Sequence, residues 1–255
     1  MKLTALITVY NEAKFLDCCL NSIKDHVDKI VIVEGAYQET IRLGKPKRSD
    51  DGTIEIINAH SCDLSDVGVF PPNSMKFFHM RANEESDAQQ RNVGLEVIKK
   101  NDSDFFVIID GDEVYKPYHF KMIRMAMSRP IIDAWYFTCN TFVNDFNHYC
   151  KQSFLRLFRL YDDAEFINDN FITSNGRSWQ DIPKAELNVN YFHYAFLKGK
   201  ERFETKKKWW ESRFGENKFH YDWNVNDKGM IKPENHEVYE YIGSHPAEII
   251  RKFNL

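Results

Sequence analysis

At 255 residues the chain is long enough for one large domain or a domain with an appended segment, and 43% hydrophobic and 15% aromatic residues exclude disorder as its main state. Thirty-four basic against 38 acidic side chains leave a net charge of −4, so no global positive field argues for nucleic acid or an anionic membrane. Cys18, Cys19, Cys62, Cys139 and Cys150 lack CxxC spacing and are read as reduced thiols of a soluble, cytoplasmic protein, with no signal peptide and no run of about 18 apolar residues to span a membrane.

The apolar run at 3–9 predicts a strand. Asn11 follows as an expected helix N-cap, before Phe15, Leu16, Cys19, Leu20, Ile23 and Val27 at helical spacing. KIVIV at 29–33 is a second buried strand, and a helix is expected to start near Asp51 after the polar loop EGAYQETIRLGKPKRSD. Residues 75–80 predict a third strand, Ser86 with Gln89 a capping box opening a helix, and 105–109 a fourth strand. Nearly all-apolar strands alternating with helices indicate a Rossmann-like, mostly parallel sheet covered on both faces. After Pro130 the stretches AWYFTCNTFV, SFLRLFRLY and NVNYFHYAF read as a smaller mixed sheet. KERFETKKKWWESRF reads as a helix, and GSHPAEII as a helix start with Ser244 as N-cap. The expected organisation is a catalytic domain over 1–200, divided into a nucleotide-binding half (1–115) and an acceptor half (116–200), with a C-terminal helical extension over 201–255 packed on it.

The fourth strand runs into FFVIIDGDEVY, with three carboxylates in four positions. Ligands of open α/β sheets bind outside the carboxyl ends of the strands. Asp110 and Asp112 there can converge on Mn²⁺ or Mg²⁺ and its phosphate oxygens, since both cations prefer oxygen ligands. Gly111 between them lets the backbone approach closely. A solvated acidic turn is the plainer alternative.

VIIDGDEV matches the haloacid-dehalogenase signature of phosphatases, in which Asp110 would be the nucleophile and Asp112 the acid/base. That family carries its motif on the first strand and adds a later GDxxxD, which is absent here. Four segments in order instead resemble family 2 glycosyltransferases of the GT-A fold: ALITVYNEAKFLDCCLNSI, KIVIVEGA followed by SDDGTIEII, SDAQQRNVGLEV and DFFVIIDGDEV. The sequence departs from that pattern at Glu34, where Asp is usual, in an apparent insertion at 35–49, and at Gln90, in an Ala place.

The resemblance implies an inverting transfer of a sugar from a nucleotide-diphosphate donor to an acceptor hydroxyl. The acceptor is left open among a glycan, a lipid-linked sugar, a protein and a modified nucleic acid. Val9, Tyr10, Glu12 and Glu34 would border base and ribose, Asp110 the ribose or a metal-bound water, and Asp112 would ligate the metal. Arg91, early in its helix, can add a positive contact, or be an ordinary solvent-facing charge. HYAFLKGKERFETK resembles the His-Tyr-Gly-Tyr segment in which a histidine completes the metal or diphosphate site, which gives that role to His193; packing in an aromatic strand is its alternative.

An inverting transfer needs a base, and Glu165, Asp169 and Asp181 are the carboxylates of the stretch after RLFRLY, which lacks the family's His-Glu ending. Glu113 is expected to support the site from behind. KPKRS at 45–49 and KKKWW at 206–210 read as solvated basic faces rather than a nucleic-acid grip. A non-catalytic carbohydrate-binding protein that uses its aromatics is the reading from outside enzymology.

Overall fold

The computed structural model describes residues 1–63, 77–168, 172–199 and 236–255, with short stretches at 203–205, 207–208, 211, 223–225 and 231–233. In chain order the elements are β1 (Leu3–Val9), α1 (Leu16–Ile23), β2 (Lys29–Glu34), α2 (Gln38–Arg42), α3 (Thr53–Asp63), β3 (Phe77–Arg81), α4 (Asp87–Lys99), β4 (Phe105–Asp110) and β5 (Glu113–Val114). They continue with α5 (Pro117–Met127), β6 (Ala134–Phe142), β7 (His148–Arg159), β8 (Glu165–Phe166), β9 (Ile172–Thr173), β10 (Lys184–His193), a 3-10 turn (Ala195–Leu197), β11 (Trp223–Val225), β12 (Ile231–Pro233), β13 (Val238–Glu240) and α6 (Ala247–Phe253).

The architecture is α/β, as the apolar strands predict. A nine-stranded sheet runs in the order β3-β2-β1-β4-β7-β6-β10-β5, with β13 also paired to β7. The β3-β2-β1-β4 half is parallel. Beyond β4, the antiparallel strand β7 joins it to β6 and β10, which run parallel to each other, so the mixed strands continue the same sheet. Small two-stranded antiparallel sheets, β8-β9 and β11-β12, lie apart from it.

Both faces of the parallel half are buried, which is why its strands do not alternate. Leu3, Ala5, Ile7 and Val9 of β1 pack with α1 and α5 on one side, whereas Leu6, Val31 and Val33 meet α4 on the other. Gly94 allows that second contact: a Cβ there would lie 2.3 Å from Leu6 Cδ1 and 2.9 Å from Val33 Cγ2.

Several local expectations shift. Ser86 Oγ caps α4 by accepting from the Gln89 amide at 3.2 Å, but α1 starts at Leu16, with Phe15 as its N-cap. Asn11 instead takes a left-handed φ of 53° and exchanges hydrogen bonds with Asp50 at 3.0 Å, so its amide serves a tertiary contact rather than the helix. α6 starts after Pro246, and the Ser244 carbonyl accepts from Tyr241 and Lys116. Helix α5 is additional to the expected elements. Much of the 200–214 stretch expected as a helix, and residues 75–76 of the expected third strand, lie outside the described residues.

The C-terminal residues are built into this body. β13 pairs with β7, Phe253 of α6 packs on Phe15 at 5.2 Å, and buried His245 bonds the Tyr194 hydroxyl at 2.9 Å and donates through Nε2 to the Phe146 carbonyl at 2.8 Å. Cys18, Cys19, Cys139 and Cys150 are buried free thiols. No helix among the described residues is long and apolar enough to cross a membrane.

The sheet's curl positions the site. Only Gly111 and Asp112 separate β4 from β5, yet β5 pairs with the far side of β10 and so lies four places from β4 in the sheet. In a flat sheet that distance would be roughly 19 Å, whereas three Cα steps reach about 11 Å at most. The sheet therefore bends until its far edge meets the end of β4, and the DGD turn bridges the gap.

Candidate active site

Asp110 ends β4 between two guanidinium groups. Arg156 Nη2 lies 3.0 Å from its Oδ2, and Arg91 Nη2 lies 3.5 Å from its Oδ1 while pairing with Asp87 at 2.8 Å. Burial opposes the charged form, but the two arginines outweigh it and hold the carboxyl below the usual range. With its side chain 31% exposed, Asp110 is an anion facing solvent at the sheet edge.

Arg156 also contacts Glu113 Oε1 and donates through Nε to the Tyr191 hydroxyl at 3.0 Å. Its direction comes from a bulge. Trp135 pairs with Leu157 and Tyr136 with Leu155, so Arg156 is the unpaired extra residue on β7 and turns toward the motif. Glu113 is fully buried under this guanidinium and the Tyr115 hydroxyl, which donates at 3.2 Å. Burial, against the pull of Arg156, pushes its carboxyl up to about 8.

Asp112 faces two cations. His193 Nε2 lies 3.3 Å from its Oδ1. Lys198 Nζ lies 2.5 Å from its Oδ2 and also contacts Glu12 Oε2. Burial alone would neutralise His193, but the Asp112 carboxylate outweighs it and raises the imidazole well above its ordinary range. Nδ1 of the charged ring donates to Thr141 Oγ1 at 3.3 Å, and that hydroxyl donates to Gln152 Oε1 at 3.1 Å. Gly111 is held against the β1 end: a Cβ would lie 2.8 Å from Val9 Cγ1 and 3.2 Å from Glu12 Cβ.

The residues expected at the nucleoside are drawn together by the 44–52 loop. Glu34 is wholly buried, its Oε1 accepting from the Ser49 amide at 2.8 Å and hydroxyl at 2.9 Å, its Oε2 paired with Arg48 at 3.0 Å. Tyr10 donates to the Pro46 carbonyl at 2.9 Å, and the Glu12 amide to Thr53 Oγ1 at 2.7 Å. The segment read as an insertion is thus strapped across the β1 and β2 ends.

Metal-ligating groups converge at the same edge. Among the described residues, single ligand atoms of Asp110, Glu113 and His193 lie within 4.8 Å of one another, and Asp112 adds its carboxylate beside His193. These oxygen and imidazole donors suit a divalent cation such as Mn²⁺ or Mg²⁺.

No protein-family model matches the chain. Its sequence is similar to the SPbeta prophage-derived glycosyltransferase SunS of Bacillus subtilis (strain 168) and to glycosyltransferase SunS of Bacillus phage SPbeta, each 25% identical over 167 residues. The match takes in 64% of this chain but only 32% of each relative, so the chain spans about a third of the curated relatives it matches. Among solved structures, S. aureus TarS 1-349 is similar over 82% of this chain and 64% of its own, with a TM-score of 0.46 and 13% identity. The same fragment in complex with UDP-GlcNAc gives 0.40 and 17% over 57% of this chain and 36% of that one.

The three base candidates differ in setting. Glu165 is exposed on β8; its neighbour Phe166 lies 5.9 Å under Arg91 and bonds Asn92 through its backbone. Asp181 is exposed and accepts from Ser178 Oγ at 2.6 Å. Asp169 lies outside the described residues.

Three residues at this edge escape sequence reasoning. Arg156 is hidden because strand alternation fails at a bulge. Lys198 sits beyond the last predicted strand among other lysines. Asp87, which holds Arg91 at 2.8 Å and accepts the Tyr37 hydroxyl at 2.6 Å, reads only as a first-turn helix acid, although its i,i+4 spacing to Arg91 was a visible signal.

Proposed function

We propose that the chain is a metal-dependent, inverting glycosyltransferase that moves a sugar from a nucleotide-diphosphate donor to an acceptor hydroxyl. The observation that carries this reading is the meeting of Asp110, Asp112, His193, Arg91, Arg156 and Lys198 at the carboxyl edge of the parallel strands. The resemblance of the β1, β2, α4 and β4 segments to family 2 glycosyltransferases supports it, as does similarity to proteins named glycosyltransferase SunS.

Asp112 and His193 would hold the cation, with Asp110 beside them and Glu113 behind; the cation would supply charge stabilisation to the departing diphosphate. His193 must then give up its ring proton to offer Nε2. Asp110, kept ionised by Arg91 and Arg156, can accept hydrogen bonds from ribose hydroxyls or orient water. Arg91 and Arg156 fix that carboxylate in place, so that it need not reorient when a donor binds. Val9, Tyr10, Glu12 and Gly111 would form the floor under the nucleoside. Glu34 would act through Arg48 and Ser49, which it anchors. The base that takes the acceptor proton is drawn from Glu165, Asp169 and Asp181.

A panel of nucleotide sugars, screened by thermal shift with and without Mn²⁺ and followed by product analysis, tests the reading. A Mn²⁺-dependent rise with one donor, and release of its nucleoside diphosphate that Asp112→Asn abolishes, is expected. Equal turnover by the variant, or in chelator, overturns metal dependence; no binding or turnover of any donor overturns the assignment.

A further inference from the structure

The groups facing Asp112 raise a conflict that the proposed chemistry must resolve. Its Oδ1 is turned to His193 and its Oδ2 to the Lys198 ammonium, which also contacts Glu12 Oε2. Lys198 is nearly buried, 9% exposed, with Glu12 and Asp112 about as buried on either side. The ammonium therefore neutralises two carboxylates that burial would otherwise penalise. A divalent cation binding Asp112 would lie against this ammonium, and like charges at such range repel. The cation and Lys198 cannot both use Asp112 as it stands.

Lys198 has somewhere to go and a tether that keeps it close. It follows the Ala195–Leu197 turn, directly after β10, and Lys14 holds that turn by donating to the Leu197 carbonyl. The four-carbon stem lets the ammonium move several ångströms while the turn stays fixed. A nucleoside diphosphate arriving with its cation brings negative oxygens to this edge, where the released ammonium finds a replacement partner.

We infer that Lys198 is a donor-binding residue that exchanges partners: it occupies the Glu12–Asp112 carboxylate pair in the ligand-free chain and passes to the diphosphate when a divalent cation takes Asp112. This inference rests on the nucleotide-sugar reading. It makes the carboxylate pair and the diphosphate alternative counter-ions for one ammonium. Removing Lys198 consequently has effects of opposite sign: the bare carboxylates bind the cation more tightly, and the diphosphate loses a charged contact.

Isothermal titration with UDP, GDP, ADP, CDP and dTDP, each against its monophosphate and in Mn²⁺, identifies the nucleoside that the unaltered chain prefers. Lys198→Met is expected to lower affinity for that diphosphate by about 10- to 100-fold, the loss of one charged hydrogen bond, with a smaller effect on the monophosphate. Without nucleotide, the same variant is expected to bind Mn²⁺ more tightly than the unaltered chain, while Lys198→Arg keeps the diphosphate preference. An unchanged diphosphate-to-monophosphate ratio, or weaker Mn²⁺ binding, overturns the inference while leaving the glycosyltransferase reading intact. Failure of the unaltered chain to bind any nucleoside diphosphate overturns both. In unaltered protein labelled with ¹⁵Nζ-lysine, the Lys198 resonance, assigned through Lys198→Arg, is expected to move on adding the diphosphate with Mg²⁺ and to stay in place with the nucleoside alone; no movement with the diphosphate overturns the exchange even if Lys198→Met does not fold.

Discussion

Arg156 Nη2 stands 3.0 Å from Asp110 Oδ2 and with the same nitrogen contacts Glu113. One guanidinium thus serves a solvent-facing carboxylate and a wholly buried one, joining the end of β4 to the start of β5.

Removing that guanidinium leaves Glu113 buried without its cation. At pH 9, above the value of about 8 to which burial pushes Glu113, Arg156→Met is expected to destabilise the fold by about 3–5 kcal/mol, read as a lower urea midpoint at an unchanged slope. Adding Glu113→Gln should recover part of the loss, because an amide costs less to bury than a carboxylate. A double variant no more stable than Arg156→Met would show that the charge of Glu113 is not what the arginine compensates.

Asp112→Asn is expected to lower the rate of sugar transfer by about 100-fold or more, in line with losing one electrostatic stabiliser of a leaving group. Circular dichroism should stay near that of the unaltered chain while the thermal midpoint falls, since the amide keeps the shape but has one acceptor oxygen to offer to both His193 and Lys198. Transfer within a few-fold of the unaltered rate would remove Asp112 from the reaction.

Gly111→Ala drives a methyl group to 2.8 Å from Val9 Cγ1 and 3.2 Å from Glu12 side-chain carbons. Overpacking of this kind costs about 1–3 kcal/mol and pushes the turn away from β1. Thermal unfolding should register the cost, and donor affinity should fall with it. Unchanged values of both would mean that the turn relaxes freely.

His119 gives a pH signature of its own. Its ring is buried, Nδ1 accepting from the Lys116 amide at 3.2 Å, and burial, with Lys116 adding to it, pushes the imidazole down to about 4. Unfolded, it titrates near ~6.5. Between those values the unfolded chain binds the extra proton, so stability is fully present above ~6.5 and is lost as pH falls toward ~4, by roughly 3 kcal/mol at most. His119→Phe should make the slope of the urea midpoint against pH in that window less positive than in the unaltered chain; an identical slope would show that His119 does not titrate there.

The parallel half was legible because LTALITV, KIVIVE and FFVIID are buried on both faces and read as uninterrupted apolar runs. The carboxylates after β4 were legible from their place at a strand end. The remainder depends on geometry that no periodicity records. The Arg156 bulge puts consecutive residues, Arg156 and Leu157, toward the same face. Glu12 and Lys198 are 186 positions apart and meet only because the sheet curls. Asn11 looked like a helix cap because local spacing favours one, and a tertiary partner, Asp50, took its amide instead.

The brevity of the DGD turn can be read as a measure of length. Thr8 fixes the register of Asp110 on one side of the turn, and His193 fixes that of Glu113 on the other. With both ends pinned to strands, an extra residue between them would have to loop out or slip one register, and slipping sends side chains to the opposite face. The interval between the two aspartates is thus a gauge for how far the sheet must close. It would be required by the architecture even in a chain that never bound a cation, so conservation of this spacing across such folds would testify to sheet closure first and to chemistry second.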